Sequence, residues 1–255
     1  MSFASTEFIE SPAGKIAYRR TLGNADKVGL VWCGGLRSDM MGGKATELHQ
    51  AAIEADHSFL RFDYTGHGES DVPFAQTTIA DWKRDAIFAI DELTNGPLIL
   101  VGSSMGGWTS LLSAMARPDR IKGMVLIAPA PDFTEKLMWK EFTSEQRRQV
   151  EEEGFWMRPS PYEGDYPITK DLLDAGRALQ IMDAPIDLGE IPVRIIQGMR
   201  DDAVPWTHAQ ELMNVITSED VHFHMVKDGD HRMSRPQDIA LIKETVFDIA
   251  RKLGG

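Results

Sequence analysis

The sequence predicts an α/β protein: a mostly parallel, twisted sheet of about eight strands with helices on both faces. Three observations predict it. Short apolar runs alternate along the chain with longer amphipathic ones, as strands do with crossover helices. The last two of these runs end in polar loops, where ligands meet the strand ends of an open α/β sheet. The chain has 255 residues, and such folds use about 200–250 residues as a single unit.

The first element is a hairpin. Residues 8–10 and 16–20 flank S-P-A-G-K, whose Pro and Gly favour a tight turn, so an antiparallel pair is expected at the sheet edge. Six apolar runs follow as strands: Gly29–Cys33, 58–63, 98–102, 124–128, 193–197 and Val221–Val226. Helices are expected over 44–54, Ile79–Leu93, 106–115, 208–215 and Pro236–Lys252. In the last, Ile239, Ile242, Val246, Ile249 and Leu253 recur at spacings of three and four and so share one face. Arg251 and Lys252 suit the negative end of its dipole.

One segment breaks the alternation. Residues 129–192 are far too many for a single crossover, and long connections of this kind usually serve as lids or binding elements. Two helices are expected there, around 135–153 and 168–182, separated by the Pro-rich stretch R-P-S-P-Y-E-G-D-Y-P. The expected organisation is a core of 1–128 and 193–255 with a lid or cap at 129–192.

Composition excludes several classes. Lys and Arg total 27 against 39 Asp and Glu, a net charge of −12, which disfavours nucleic acid and anionic membrane surfaces. The only cysteine, Cys33, rules out an internal disulfide and a cysteine zinc site, and reads as a small buried apolar residue. The start M-S-F-A-S-T-E-F-I-E lacks the basic and apolar parts of a signal peptide, and no stretch approaches the roughly 18 apolar residues of a membrane span. A cytoplasmic location is expected. With no phosphate-binding or dinucleotide motif in a fitting context, neither a metal nor an organic cofactor is expected.

The sharpest feature is Gly102-Ser103-Ser104-Met105-Gly106. As a bare G-x-S-x-G match it is weak, since this composition yields about 0.1 chance matches. Its context is specific: it follows the strand run L-I-L-V and precedes the helical pattern G-W-T-S-L-L-S-A-M, as a nucleophile elbow requires. A serine hydroxyl needs a neighbouring base, and the base needs a carboxylate to hold its tautomer. In this architecture acid and base follow the serine at later strand ends.

Seven histidines compete for the base. His49 and His57 precede the serine and read as surface residues; His67, in D-Y-T-G-H-G-E-S, reads as a turn stabiliser. His208 opens a helix, and His222 and His224 share a strand face. His231, in the loop K-D-G-D-H-R-M after the last strand, fits the chain order and is the expected base. For the acid, Q-G-M-R-D-D-A-V-P offers adjacent Asp201 and Asp202, and the residues alone leave Asp201 only slightly ahead. Asp228 and Asp230 are too close in sequence to His231 to reach it from another strand end.

Four blocks now stand in order: C-G-G-L, R-F-D-Y-T-G-H-G-E-S, G-S-S-M-G-G-W, and the pair G-M-R-D-D-A-V-P with D-G-D-H-R-M. Together they resemble the α/β-hydrolase family over almost the whole chain. More narrowly, G-S-S-M-G-G-W, G-M-R-D-D-A-V-P-W and D-H-R-M are similar to the subgroup containing the abhydrolase domain protein 10 type of palmitoyl-protein thioesterase and acyl-glucuronide esterase. The resemblance implies that the acid is the first aspartate, Asp201. It also implies an oxyanion hole from the backbone N–H groups of Leu36 and Met105, although Cys33-Gly34-Gly35-Leu36 departs from the family's common His-Gly form.

The expected activity is hydrolysis of a carboxylic ester or thioester, small or carried on an acylated protein, through an acyl-enzyme on Ser104 with His231 as base and Asp201 as orienting acid. Leu137, Met138, Trp139, Phe142, Phe155, Trp156, Met157 and Met182 supply apolar area to cover an acyl chain, or to hold the insertion on the sheet. Arg37, Lys44 and Arg158 would meet a substrate anion if they lie near Ser104. Two other functions fit the same residues: a serine peptidase of aminopeptidase type, and a non-catalytic binding module that kept the fold. Acyl length, leaving group and oligomeric state stay open.

Overall fold

In the computed structural model, residues 5–160 and 164–254 are described. Ten strands are present there: β1 (Glu7–Ser11), β2 (Gly14–Thr21), β3 (Gly29–Cys33), β4 (Phe59–Phe62), β5 (Leu98–Ser103), β6 (Ile121–Ile127), β7 (Phe155–Arg158), β8 (Tyr166–Thr169), β9 (Val193–Gly198) and β10 (Val221–Val226). Eight form one sheet in the order β1-β2-β4-β3-β5-β6-β9-β10. β1 and β2 are the expected antiparallel hairpin, and β2 also runs antiparallel to β4. Every pairing from β4 to β10 is parallel.

The strand runs are mostly apolar, with Arg61 in β4 and Arg194 and Gln197 in β9 as exceptions, because helices cover both faces of the sheet. Successive residues on one strand enter opposite layers, as the period of two requires. Leu30, Ile99, Val125 and Ile196 pack with α1 (Gly43–Glu54) and α7 (Pro236–Lys252). Their neighbours Val31, Leu100, Leu126 and Ile195 pack with α2 (Ile79–Leu93), α3 (Met105–Ala116) and α6 (Trp206–Val215). On α7 the expected stripe is buried at Ile242, Val246 and Ile249, whereas Leu253 lies beyond the helix end and is exposed.

Between β6 and β9 the chain departs from the sequence expectation. Instead of one helix over 135–153, a π-helical turn at Thr134–Trp139 gives way to a separate α4 (Ser144–Glu153). The break is a capping box: Thr143 Oγ1 accepts the Gln146 amide N–H, and Gln146 Oε1 accepts that of Thr143, at 3.2 and 2.8 Å. This satisfies amides that a continuous helix would bond internally. Gly154, at φ 86°, ends α4 in the left-handed region.

Residues on either side of the Pro-rich stretch then pair as strands, with Trp156 opposite Ile168. The second helix, α5 (Lys170–Ala178), is shorter than 168–182 and starts where Thr169 Oγ1 caps the Leu172 amide at 3.1 Å. Residues 161–163 of the Pro-rich stretch lie outside the described residues. Buried Asp132 ties the two ends of the segment together, its carboxylate accepting the amides of Ile181 and Met182 at 2.8–3.1 Å.

Candidate active site

Ser104 sits between the last residue of β5 and the first of α3, at φ 55° and ψ −120°. A side-chain-bearing residue seldom occupies this region, and such strain persists only where its surroundings enforce it. Two glycines do so here. A Cβ on Gly102 would lie 2.4 Å from Gly106 O, and one on Gly106 would lie 2.0 Å from Cys33 O. Only glycine lets α3 start this close to the ends of β5 and β3. The G-x-S-x-G spacing is thus a packing requirement.

Asp201 and His231 leave the ends of β9 and β10, which pair in parallel. Their loops are joined by backbone bonds from Met199 N–H to Val226 O and from Arg200 N–H to Gly229 O, both 2.9 Å. The result is a linear array. His231 Nδ1 lies 2.8 Å from Asp201 Oδ2, and its Nε2 lies 3.1 Å from Ser104 Oγ. With Nδ1–H donating to the carboxylate, the Nε2 lone pair faces the serine hydroxyl.

The Asp201 side chain is fully buried. Burial alone would raise its pKa. The hydrogen bonds from His231, the Val204 amide and Gln197 outweigh that, leaving the carboxyl below the ordinary carboxylate range. Oδ1 accepts the Ala203 and Val204 amides at 2.9 and 2.7 Å, and Oδ2 accepts Gln197 Nε2 at 2.9 Å as well as His231. Asp202 points to solvent; Asp228 and Asp230 are also exposed, with Asp228 paired to Arg235 at 2.7 Å. Of the two adjacent aspartates, Asp201 is the one whose carboxylate meets His231.

His49 and His57, expected at the surface, are buried. His49 Nε2 bonds Thr21 Oγ1 at 2.7 Å with the ring stacked on Phe59, and His57 Nδ1 bonds Val28 O at 2.8 Å. Each finds a local polar partner and otherwise packs as an aromatic ring, which charge-based sequence reading misses. His67 holds its turn as expected, enclosed by Tyr64, Phe74 and Trp82, and burial pushes its pKa down to about 4. His208 reaches Pro131 O at 2.8 Å, and His222 sits in solvent beside Asp220.

A cavity of about 930 Å³ opens over Ser104. Leu36 and Met105 both line it, and from the segment between β6 and β9 come Leu137, Met138, Phe142 and Trp156. The other apolar residues singled out in that segment do not. Phe155 and Met157 face outward on the alternate side of β7, Met182 is buried in the core, and Trp139 is held by Arg177 and Arg147 at 4.6 and 5.2 Å.

Arg37, Lys44 and Arg158 all line the cavity. Arg37 lies over the rings of Tyr166 and Phe74, at 4.8 and 5.5 Å. Lys44 Nζ donates to Arg232 O, next to His231, and burial lowers its pKa to about 8. Cys33 is fully buried, which pushes its thiol pKa up.

Sequence reasoning missed two contributors to the geometry. Gln197 is a buried polar residue inside an apolar strand, and that exception was its only signal. Asp63, in the block R-F-D-Y-T-G-H-G-E-S, accepts the Met40 amide at 2.6 Å and the Glu69 amide at 2.9 Å, pinning the loop that follows Leu36. Among the described residues, no cluster of His, Cys, Asp or Glu could hold a metal ion, and no helix is long and apolar enough to cross a membrane.

Comparison with known proteins agrees with this arrangement of elements. Residues 30–240 match the model of the alpha/beta hydrolase family. The chain is 34% identical over 252 residues to human palmitoyl-protein thioesterase ABHD10, mitochondrial, covering 98% of this chain and 81% of that protein. The mouse protein of the same name is 35% identical over 253 residues, covering 98% and 84%.

Among solved structures, mouse alpha/beta hydrolase domain-containing protein 10 superposes with a TM-score of 0.90 at 34% identity, covering 98% of this chain and all (100%) of that one. A structure from Agrobacterium vitis S4 superposes with a TM-score of 0.92 at 37% identity, covering 96% and 98%. These relatives correct one expectation. The mammalian proteins that match across nearly the whole chain are mitochondrial, so the cytoplasmic location inferred from the first residues does not stand. A family match over most of its length, joined to identities above one third with full-length relatives, places this chain in the α/β hydrolase family of enzymes.

Proposed function

We propose that this protein is a serine hydrolase that cleaves carboxylic esters or thioesters through an acyl-enzyme on Ser104. One observation carries the reading: the array Asp201–His231–Ser104, with contacts of 2.8 and 3.1 Å, at a cavity with apolar and charged side chains in its lining. Ser104 Oγ attacks the substrate carbonyl while His231 Nε2 takes its proton, and Asp201 orients and stabilises the imidazolium. The backbone N–H groups of Leu36 and Met105 receive the negative charge that develops on the carbonyl oxygen. Protonation of the leaving group by His231 releases the alcohol or thiol. Water activated by the same imidazole then hydrolyses the acyl-enzyme.

The segment 129–192 is proposed as the lid. Its residues Leu137, Met138, Phe142 and Trp156 form an apolar wall suited to an acyl chain. The curated relatives carry the name palmitoyl-protein thioesterase, and a long acyl group on a small molecule or a protein is the substrate class this wall favours. A panel of p-nitrophenyl esters and acyl thioesters of rising chain length tests the reading. Turnover is expected to rise with chain length and vanish in Ser104→Ala; a variant as active as wild type would overturn it.

A further inference from the structure

Gln197 is fully buried near the end of β9 and does not line the cavity. Its side-chain nitrogen lies 2.9 Å from Asp201 Oδ2, 3.1 Å from Val204 O and 3.2 Å from Gly198 O. All three neighbours are acceptors, so the NH₂ end of the amide must face them. The opposite end, Oε1, is buried with no hydrogen-bond partner. A buried carboxamide whose NH₂ end is held on a carboxylate is placed to act on that carboxylate. The crowding at Asp201 indicates how. Oδ1 is taken by two backbone amides, while Oδ2 is shared between Gln197 and His231.

We propose that Gln197 is a positioning residue that orients the Asp201 carboxylate and, by donating to Oδ2, limits how strongly that oxygen favours the protonated imidazole of His231. The inference rests on reading Asp201, His231 and Ser104 as the working array. Its physical basis is competition. Two N–H donors on one carboxylate oxygen divide its charge, so removing one leaves more of that charge for the other. The same amide ties Asp201 to both ends of its turn through Gly198 O and Val204 O, which fixes the carboxylate plane. The other charged groups around the pair are Lys44 at the start of α1, Asp230 and Arg232 beside His231, and Arg200 and Asp202 in the acid's own turn. None of them changes in the variants below.

The test is the pH profile of kcat/KM for a p-nitrophenyl ester, measured on wild type, Gln197→Met and Gln197→Leu. Met keeps the length of the side chain without its donors, and both variants remove the orphaned carbonyl. The acid limb should move to higher pH by about one unit, the equivalent of one hydrogen bond to a charged group. KM should stay unchanged and kcat should fall, because Gln197 touches no substrate. An acid limb that stays in place in a folded variant would overturn the proposal, as would failure of both variants to fold, since either makes Gln197 a scaffold residue only. Failure of the underlying reading is recognised separately: wild-type protein would then resist labelling by a fluorophosphonate at Ser104.

Discussion

In the proposed reading the chemistry of Ser104 rests on two contacts in series, His231 Nε2 to Ser104 Oγ at 3.1 Å and Asp201 Oδ2 to His231 Nδ1 at 2.8 Å, and substitutions separate them. Ser104→Ala should lower ester turnover by about a million-fold, leaving only what binding and the oxyanion donors supply. Asp201→Asn should cost about 10⁴-fold in kcat, because a carboxamide no longer selects the tautomer with its Nε2 lone pair toward the serine. Asp202→Asn, on an exposed side chain, should leave kcat near wild type; the reverse ranking would exchange the two roles. Because hydrogen bonds hold the Asp201 carboxyl below the ordinary range, the proposed orienting role should persist through neutral and mildly acidic pH.

At this scale the sequence was legible where backbone geometry left a signature. Gly102 and Gly106 flank Ser104 because any side chain there would strike the neighbouring backbone. It was illegible where identity follows from packing alone. Asp201 and Asp202 are chemically equal neighbours, and only the turn after β9 decides which enters the interior. His49 and His57 are buried by the same kind of accident of position.

At the scale of elements, the segment between β6 and β9 is where local pattern and structure diverged. Thr143 to Gln146 is a capping-box signature that was present in the residues, and it splits one expected helix in two. The β7–β8 pair left a fainter trace, since four-residue strands show barely two periods of alternation and their partners are separated by prolines.

The pairing has a consequence for specificity. It turns Trp156 toward the cavity and leaves Phe155 and Met157 outside. We expect Phe142→Ala and Trp156→Ala to lower kcat/KM about tenfold for long-chain esters, from lost apolar contact, while acetyl esters change little. Phe155→Ala and Met157→Ala should leave both unchanged. Equal effects from all four, measured on octanoyl and acetyl p-nitrophenyl esters, would count against this wall as the acyl site. Arg37 links the same pair to the cavity around Ser104: it adjoins Leu36 and lies over Tyr166 of β8 and Phe74.

For the whole molecule, the buried histidines make stability depend on pH. His67 and His49 are held near pH 4 by burial, well below the ordinary value near 6.5. Between those limits the unfolded chain takes up protons that the native state refuses, so stability complete above about pH 6.5 is lost as the pH falls toward 4. Asp63, pushed up to about 6 by burial, acts in the opposite sense over part of that window. His67→Phe should therefore flatten the fall in urea-denaturation midpoint between pH 7.5 and 4.5, and an equally steep fall would show that His67 is not among the groups responsible.

The two cores explain why the fold itself was readable. The interior strands feed apolar side chains to both layers, with Arg61, Arg194 and Gln197 as buried polar exceptions, so their runs stay mostly apolar. Periodicity is a local property, and the sequence by itself therefore determined the α/β class, the hairpin, the parallel strands and the elbow serine. Tertiary structure alone decided which aspartate turns inward, which side chains between β6 and β9 reach the cavity, and that Gln197 meets Asp201. Those outcomes depend on where separate loops converge at the ends of β5, β9 and β10, and neighbouring residues in the sequence carry no record of that distance.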